Sequence, residues 1–497
     1  MNEMRPYAIL AGLVAAILVF AMIIIHVSAV KWVFLWTDVL VYVLVMAVVL
    51  FSLQAQHKEH LRAPWRHVAR RPLAMSALVV LVFYVCAGLL DSVHFRESLA
   101  QQEGETQAHY SGDVLSLLDV MLTRLRTQQE KTYSAPLATH LFAKEVIETP
   151  HGQVRDYPRL RYGGASLTDP KAQEAGDIER RVLQSSLMAV LTFLILAYLL
   201  VNILARRRSI SFFSALQNIR YGQMELPWRS MMLTFFILML LVMITSGLSG
   251  NYHVFGTDKV GQDVLYQAVK SIRTGLVIGT LTTLIMLPFA IMLGIMAGHF
   301  RGWIDDVIQY IYTTLNSIPG VLLIAAAILS LQVYMANNPD LYETVTERAD
   351  LRLLFLCIIL GITSWTGLCR LLRGKTFKLS GMDYIEAANA FGVGHGKIML
   401  RHILPNVMHI VLISVVLDFS GLVLAEAVLS YVGVGVDPIT ISWGNMINSA
   451  RLEMARDPIV WWSLVAAFVF MFVLVLAANL FSDAVRDAFD PRITRSK

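Results

Sequence analysis

Ten mostly apolar segments constrain this chain more than any other feature. They lie at roughly residues 7–26, 33–53, 73–91, 184–204, 231–249, 274–298, 318–335, 353–372, 406–427 and 460–481. A helix needs about 20 such residues to cross the hydrocarbon core of a bilayer. Inside lipid each backbone N–H and C=O must find its partner within the protein, so segments of this length fold as helices. The expected fold is an all-α polytopic membrane protein with about ten transmembrane helices. Composition agrees: 56% of the 497 residues are apolar and 15% are charged, against about 25% charged in a soluble domain. The first segment is followed by Val27-Ser28-Ala29, loosely a signal-peptidase site. Its apolar run exceeds the usual about 7–15 residues of a signal peptide, so it reads as an anchor.

A net charge of +5 would suit nucleic acid in a soluble protein. Here the surplus sits in three short loops. Lys58, Arg62, Arg66, Arg70 and Arg71 lie in 54–72; Arg206, Arg207, Arg208, Arg220 and Arg229 in 205–230; Arg373, Lys375, Lys378, Lys397 and Arg401 in 373–405. Loop 336–352 is acidic instead, with Asp340, Glu343, Glu347 and Asp350. Basic loops stay in the cytoplasm. With ten spans this places all three on one side and both termini inside, with lipid rather than nucleic acid as the surrounding partner. Cys86, Cys357 and Cys369 lie in apolar segments and form no metal or disulfide pattern.

The chain divides into two parts. Residues 1–210 form four spans with a polar outside segment at about 92–183. There, Val114, Leu115, Leu117, Leu118, Met121, Leu122 and Leu125 recur at helical spacing, which predicts a small folded extracytoplasmic domain between spans three and four. Residues 230–497 form the remaining six spans.

The most informative polar stretch is about 382–405. Asp383 is placed to cap a short helix, with Glu386 three residues on as in a capping box. Ala387, Ala388 and Ala390 keep that helix slim. Gly392, Gly394 and Gly396 break it, and a second short helix from Lys397 to His402 is expected to end before Pro405. The product is a helix–turn–helix knob between two spans, or an ordinary loop with a capped helix.

Glu386-Ala387-Ala388-Asn389-Ala390-Phe391-Gly392, followed by Ile398 to Asn406, resembles the EAA loop of the ATP-binding-cassette importer permeases, C-type peptide-importer subunits in particular. Other stretches agree in order: His253-Val254-Phe255-Gly256-Thr257-Asp258 with Gly261 and Asp263; Arg370 with Arg373; Glu426 to Gly435 with Ser442-Trp443-Gly444; and the tail Asp483 to Arg492. The likeness covers about 230–497 and leaves the first four spans aside. Gln262 stands where the pattern usually has Arg, and Tyr266-Gln267 where it has Ser-Arg.

The resemblance implies a type I importer permease moving peptides across a bacterial inner membrane by alternating access. Its implied partners are a homologous second permease, two cytoplasmic ATPases and an extracytoplasmic binding protein. ATP and Mg would be used by the ATPases, with no cofactor on this chain and no catalysis by it. Asp383, Glu386, Ala387, Ala388, Gly392, Leu404 and Pro405 would form the coupling knob, where Glu386 either meets an ATPase or only caps its own helix. Segment 251–272, with His253, Gly256, Thr257, Asp258, Gly261 and Asp263, would face the binding protein.

Gly374-Lys375-Thr376 imitates the end of a phosphate-binding loop, but Cys369 occupies the place of its first glycine. Ionisable groups inside spans are costly and mark function. Asp418, midway along its span, and Glu426, near the outer end, are therefore candidates for the translocation path, with hydrogen bonding between helices as the alternative. Trp461-Trp462 reads as an interface anchor. A self-contained secondary transporter or channel is the alternative function. It predicts matching repeats, which the two halves lack, and leaves the EAA stretch unused.

Overall fold

The computed structural model describes residues 30–55, 59–98, 110–149, 152–339, 342 and 344–489. Strand β1 (Val30–Val33) precedes helices α1 (Trp36–Ala55), α2 (Glu59–Arg70) and α3 (Pro72–Asp91). The insert then contributes β2 (His94–Glu97), β3 (Leu115–Ser116), α4 (Leu117–Met121), α5 (Thr123–Thr127), β4 (Glu145–Thr149) and β5 (Gly152–Asp156). Next come α6 (Pro170–Arg208), α7 (Phe212–Arg220), α8 (Trp228–Ser249) and α9 (Val264–Phe300). They are followed by α10 (Gly302–Ser317), α11 (Gly320–Asn337), α12 (Val345–Ser364) and α13 (Thr366–Ser380). After α14 (Asp383–Ala390) and α15 (His395–Ile398), a π-helical turn (Met399–Ile403) runs into α16 (Leu404–Tyr431), then α17 (Trp443–Glu453) and α18 (Trp462–Phe489).

Eight helical stretches are long and apolar enough to cross a membrane, and α1 adds a shorter apolar run, Trp36–Leu50. These nine coincide with nine of the ten expected spans. The expected first span, 7–26, and the tail residues from Asp490 onward lie outside the described residues. Local signals set several helix starts. Pro72 opens α3, where its fixed φ suits the first turn. Thr344 caps α12 and Ser442 caps α17, each hydroxyl accepting a backbone N–H three residues on.

Packing separates two compact units. One comprises residues 1–32, 58–273 and 441–484; the other comprises 33–57, 274–440 and 485–497. In the first, α8 lies along α6, and a Cβ on Gly247 would collide with the Ser185 hydroxyl. In the second, a core of Met286, Ala290, Ile295, Tyr312, Leu368, Cys369, Leu372, Val407 and Val411 runs beneath the knob. Gly294 and Gly298, one helical turn apart on α9, let α13 approach: a Cβ on either would press on the Cys369 or Arg373 carbonyl. This is the small-residue spacing that membrane helices use for close contact.

Four local expectations need correction. The apolar residues at helical spacing from Val114 to Leu125 do not share one helix: β3 leads into α4, and Leu122 separates α4 from α5. Ser116 starts α4 through a true capping box with Asp119, and β3 pairs antiparallel with β2. That hydrogen bonding overrides the helical spacing of the leucines. The two tryptophans also part company. Trp461 is half exposed, but Trp462 is buried, and its indole Nε1 donates to the Thr257 carbonyl at 2.9 Å. The other two concern the knob and are described with it.

Candidate functional site

The knob is built from α14, a glycine turn, α15 and the π-helical turn. Ile385, Ile398 and Ile403 are fully buried and pin it to the core of the second unit, with Ala388, Val393 and Leu404 packed alongside. The capping box expected at Asp383 and Glu386 does not form. Met382 is the N-cap, without a side-chain bond, and both acids lie inside the first turn. There they still favour the helix through its dipole. The second knob helix also does not stop before Pro405. His395–Tyr431 is one continuous helical stretch, with Pro405 in the first turn of α16. The wider π-helical turn lies directly before it, where the proline lacks an N–H to give.

Outward, the knob presents Asp383, Tyr384, Glu386, Ala387 and Ala390. Ala388 points inward instead, so the slim face is narrower than the alanine run implies. Phe391 stands 87% exposed at the end of α14, and Leu400 is 69% exposed on the π-helical turn. The sequence reading passed over both as site residues; their signal was an aromatic and an aliphatic side chain within an otherwise polar loop. Gly392 makes the turn at φ +74°, and a Cβ there would meet open space. The turn is braced from α9 and α13. His299 Nε2 lies 3.1 Å from His395 Nδ1, and the Arg301 guanidinium sits 4.3 Å from the Phe377 ring centre. Nearby, Arg373 grips Asp305 with two parallel bonds of 2.5 and 2.6 Å. The paired guanidinium, working against burial, holds the Asp305 carboxyl below the usual carboxylate range. Gly374, Lys375 and Thr376 lie within α13, away from any strand–loop–helix setting.

Of the two span carboxylates, Glu426 is buried and accepts the Ser430 hydroxyl at 2.7 Å. Asp418, two helical turns earlier on α16, is only partly buried.

Loop 251–263 is occupied by the insert. Side chains of His253, Thr257 and Asp263 are buried, while Asp258 is partly exposed and Lys259 and Val260 are exposed. His253 Nδ1 lies 2.8 Å from Asp263 Oδ2, and its Nε2 faces Glu130 Oε1 of the insert at 3.6 Å. Burial alone would lower the His253 pKa, but the two carboxylates outweigh it and raise it to about 9. Glu130 responds inversely. Burial is outweighed by His253 and by the backbone N–H groups of Arg161, Tyr162 and Gly163, and the carboxyl falls to about 2. The Thr257 hydroxyl donates to the Thr132 carbonyl at 2.8 Å and accepts the Ser134 N–H at 2.7 Å. Gly256 and Gly261 both have positive φ and lie against insert backbone, where a Cβ would overlap the Ser134 and Glu130 carbonyls.

A second cluster ties the start of α9 to the insert. Asp119 accepts bonds from Lys270 at 2.5 and 2.6 Å, from the Tyr266 hydroxyl at 2.7 Å and from the Ser116 N–H at 2.9 Å. Burial opposes ionisation of Asp119, but these donors, led by Lys270, hold its carboxyl below the usual range.

About half of the chain is similar to known proteins. Residues 290–495 match the family described as binding-protein-dependent transport system inner membrane component. The glutathione transport system permease protein GsiD of Pectobacterium atrosepticum is 30% identical over 241 residues, 48% of this chain and 73% of that protein. The oligopeptide transport system permease protein OppC of Mycobacterium bovis is 30% identical over 242 residues, 49% of this chain and 77% of that one. The dipeptide transport system permease protein DppC of Lactococcus lactis is 30% identical over 240 residues, 48% of this chain and 64% of its own length. By these matches the chain belongs to the inner membrane components of binding-protein-dependent transport systems, the non-catalytic permease subunits of ATP-binding-cassette importers.

Proposed function

We propose that this chain is one of two homologous permease subunits of a peptide importer in a bacterial inner membrane, with both termini in the cytoplasm. Family members work with ATPase and substrate-binding partners. For this chain the reading is a heterodimer with a second permease, two cytoplasmic ATPases that bind and hydrolyse ATP with Mg, and one extracytoplasmic binding protein. Peptide as the cargo is supported by relatives named for oligopeptide, dipeptide and glutathione transport.

The observation that carries this reading is the shape of the knob. A stiff element is fastened inward by Ile385, Ile398 and Ile403 and turned at Gly392, and it offers Glu386, Tyr384 and Phe391 outward. An exposed phenylalanine at the end of a braced helix that also carries an outward carboxylate suits a protein partner better than water. When the ATPases close, a knob of this stiffness moves as a body and carries α13 and α16 with it, so access alternates across the membrane. Asp418 and Glu426 are read as groups along the path. The N-terminal spans and insert are read as a module that positions the extracytoplasmic partner.

Gentle affinity purification from the native membrane tests the proposal, with mass spectrometry of wild type beside Glu386→Arg. Two ATPases and a second permease should accompany wild type, and the ATPases should be depleted in the variant. A chain that emerges alone or as a homo-oligomer would overturn the importer reading in favour of a self-contained transporter or channel.

A further inference from the structure

The tip of loop 251–263 is a closed turn. Asp258 Oδ1 accepts the N–H groups of Val260 and Gln262, each at 2.9 Å, and Oδ2 accepts Gln267 Nε2 at 2.7 Å. The Asp258 N–H donates to the Gln262 carbonyl, and the Gly261 N–H returns to the Asp258 carbonyl. Lys259 and Val260 are left outward on this turn, Val260 at 55% exposure.

Much of what holds the tip from beneath belongs to the insert. The Glu130 N–H donates to the Gly261 carbonyl at 3.0 Å, and the Thr132 hydroxyl reaches the Lys259 carbonyl at 3.4 Å. Thr257, just before the tip, is held between Thr132 and Ser134, and His253 is held by Glu130. Just after it, Asp119 holds Tyr266 and Lys270. Two of the three departures from the importer pattern, Tyr266 and Gln267, are residues that fasten this loop: one bonds Asp119 of the insert, the other the tip aspartate.

We propose that the insert presets the tip of this loop for a lobe of the substrate-binding protein, with Asp119 and Glu130 as positioning residues. This rests on the importer reading above and names the face at which the binding protein is met. A rigid turn offering one aliphatic and one ammonium side chain binds at less ordering cost than a mobile loop. Asp119 and Glu130 act through Lys270, Tyr266, His253 and the loop backbone, and do not touch the partner. Releasing them weakens association and leaves the rate at saturation intact.

The test uses the full complex in lipid vesicles, with ATPase activity followed against binding-protein concentration. Asp119→Asn removes charge from beneath the loop, and Val260→Asp alters the exposed tip without touching the buried contacts. Each should raise the half-saturating concentration by about tenfold or more while the plateau rate per assembled complex is kept. Asp119→Glu, which retains the charge, should recover part of the loss. Unchanged half-saturation in both variants overturns the proposal. So does a fall in plateau rate and complex yield at fixed half-saturation, which would make the insert a mere brace. A wild-type complex that no binding protein stimulates overturns the importer reading itself, and this inference with it.

Discussion

His253 and Asp263 lie 2.8 Å apart at the base of a loop whose other support, Glu130, is far away in sequence. One imidazolium between two carboxylates therefore fastens the insert to loop 251–263. The folded pKa of His253, about 9, lies above its ordinary 6.5. Its contribution is complete below 6.5 and is lost as pH rises through 9. Glu130, at about 2 against an ordinary 4.5, contributes above 4.5 and loses that contribution as pH falls through 2. Hydrogen exchange in residues 130–134 and 253–263 should thus be slowest between pH 4.5 and 6.5 and quicken toward pH 9, after correction for intrinsic exchange. His253→Asn should abolish the alkaline limb. The same limb in that variant would assign it to another group.

Gly261→Ala tests the close approach of the same loop. At φ +77° an alanine is strained, and its Cβ would overlap the Glu130 backbone. Strain of this kind costs about 1–2 kcal/mol before any clash. The insert should loosen, seen as protease sensitivity within 110–149, while the knob keeps its structure. Equal protease resistance in wild type and variant would contradict the described packing.

How far the sequence discloses this molecule depends on the range of the interactions. Spans were legible because lipid demands about 20 apolar residues in a row, and nine of the expected ten coincide with described helices. The knob was legible as a place but not in detail. Asp383 is spaced like a cap, yet Met382 takes that position because the chain enters the helix one residue earlier. Pro405 is a stop signal by local rules, yet the π-helical turn before it lets the helix run on. The fastening of Glu130 to His253 and of Asp119 to Lys270 left no local trace. Of the three departures from the family pattern, Tyr266 is the one that bonds the insert.

Gly392 separates backbone geometry from contact. Its φ of +74° lies in the left-handed region, and nothing stands within 4 Å of a Cβ placed there. Gly392→Val should therefore disturb the turn by strain alone, at about 1–2 kcal/mol, whereas Gly392→Asn, which tolerates that region, should be milder. The ordering glycine, asparagine, valine is expected in the transport-coupled ATPase rate at equal complex yield. Identical rates for all three would show that the turn carries no force.

The Arg373–Asp305 pair is bidentate, so Arg373→Lys is not a conservative change. Removing one partner strands a partly buried charge. Arg373→Leu alone should destabilise by about 1–3 kcal/mol, since the pair is only partly buried. Adding Asp305→Leu should recover part of that loss. Thermal unfolding of the four members of this cycle measures the coupling. Additive losses would mean that the two charges do not depend on one another.

Asp418 and Glu426 allow a sharper separation, because they share one helix but not one environment. Glu426 is buried and accepts a bond from Ser430, so its loss acts first on packing; a buried partner left unpaired costs about 1–3 kcal/mol. Asp418 is partly buried within an apolar span, where an ionisable group is costly, and it is proposed above as a group along the path. Asp418→Asn, close in volume, should then lower peptide uptake by about tenfold or more, with complex yield and thermal stability near wild type. Glu426→Ala should lower yield and stability first, with uptake per surviving complex less affected. Parallel loss of yield and uptake in both variants would place Asp418 among the structural groups and leave the path to other residues.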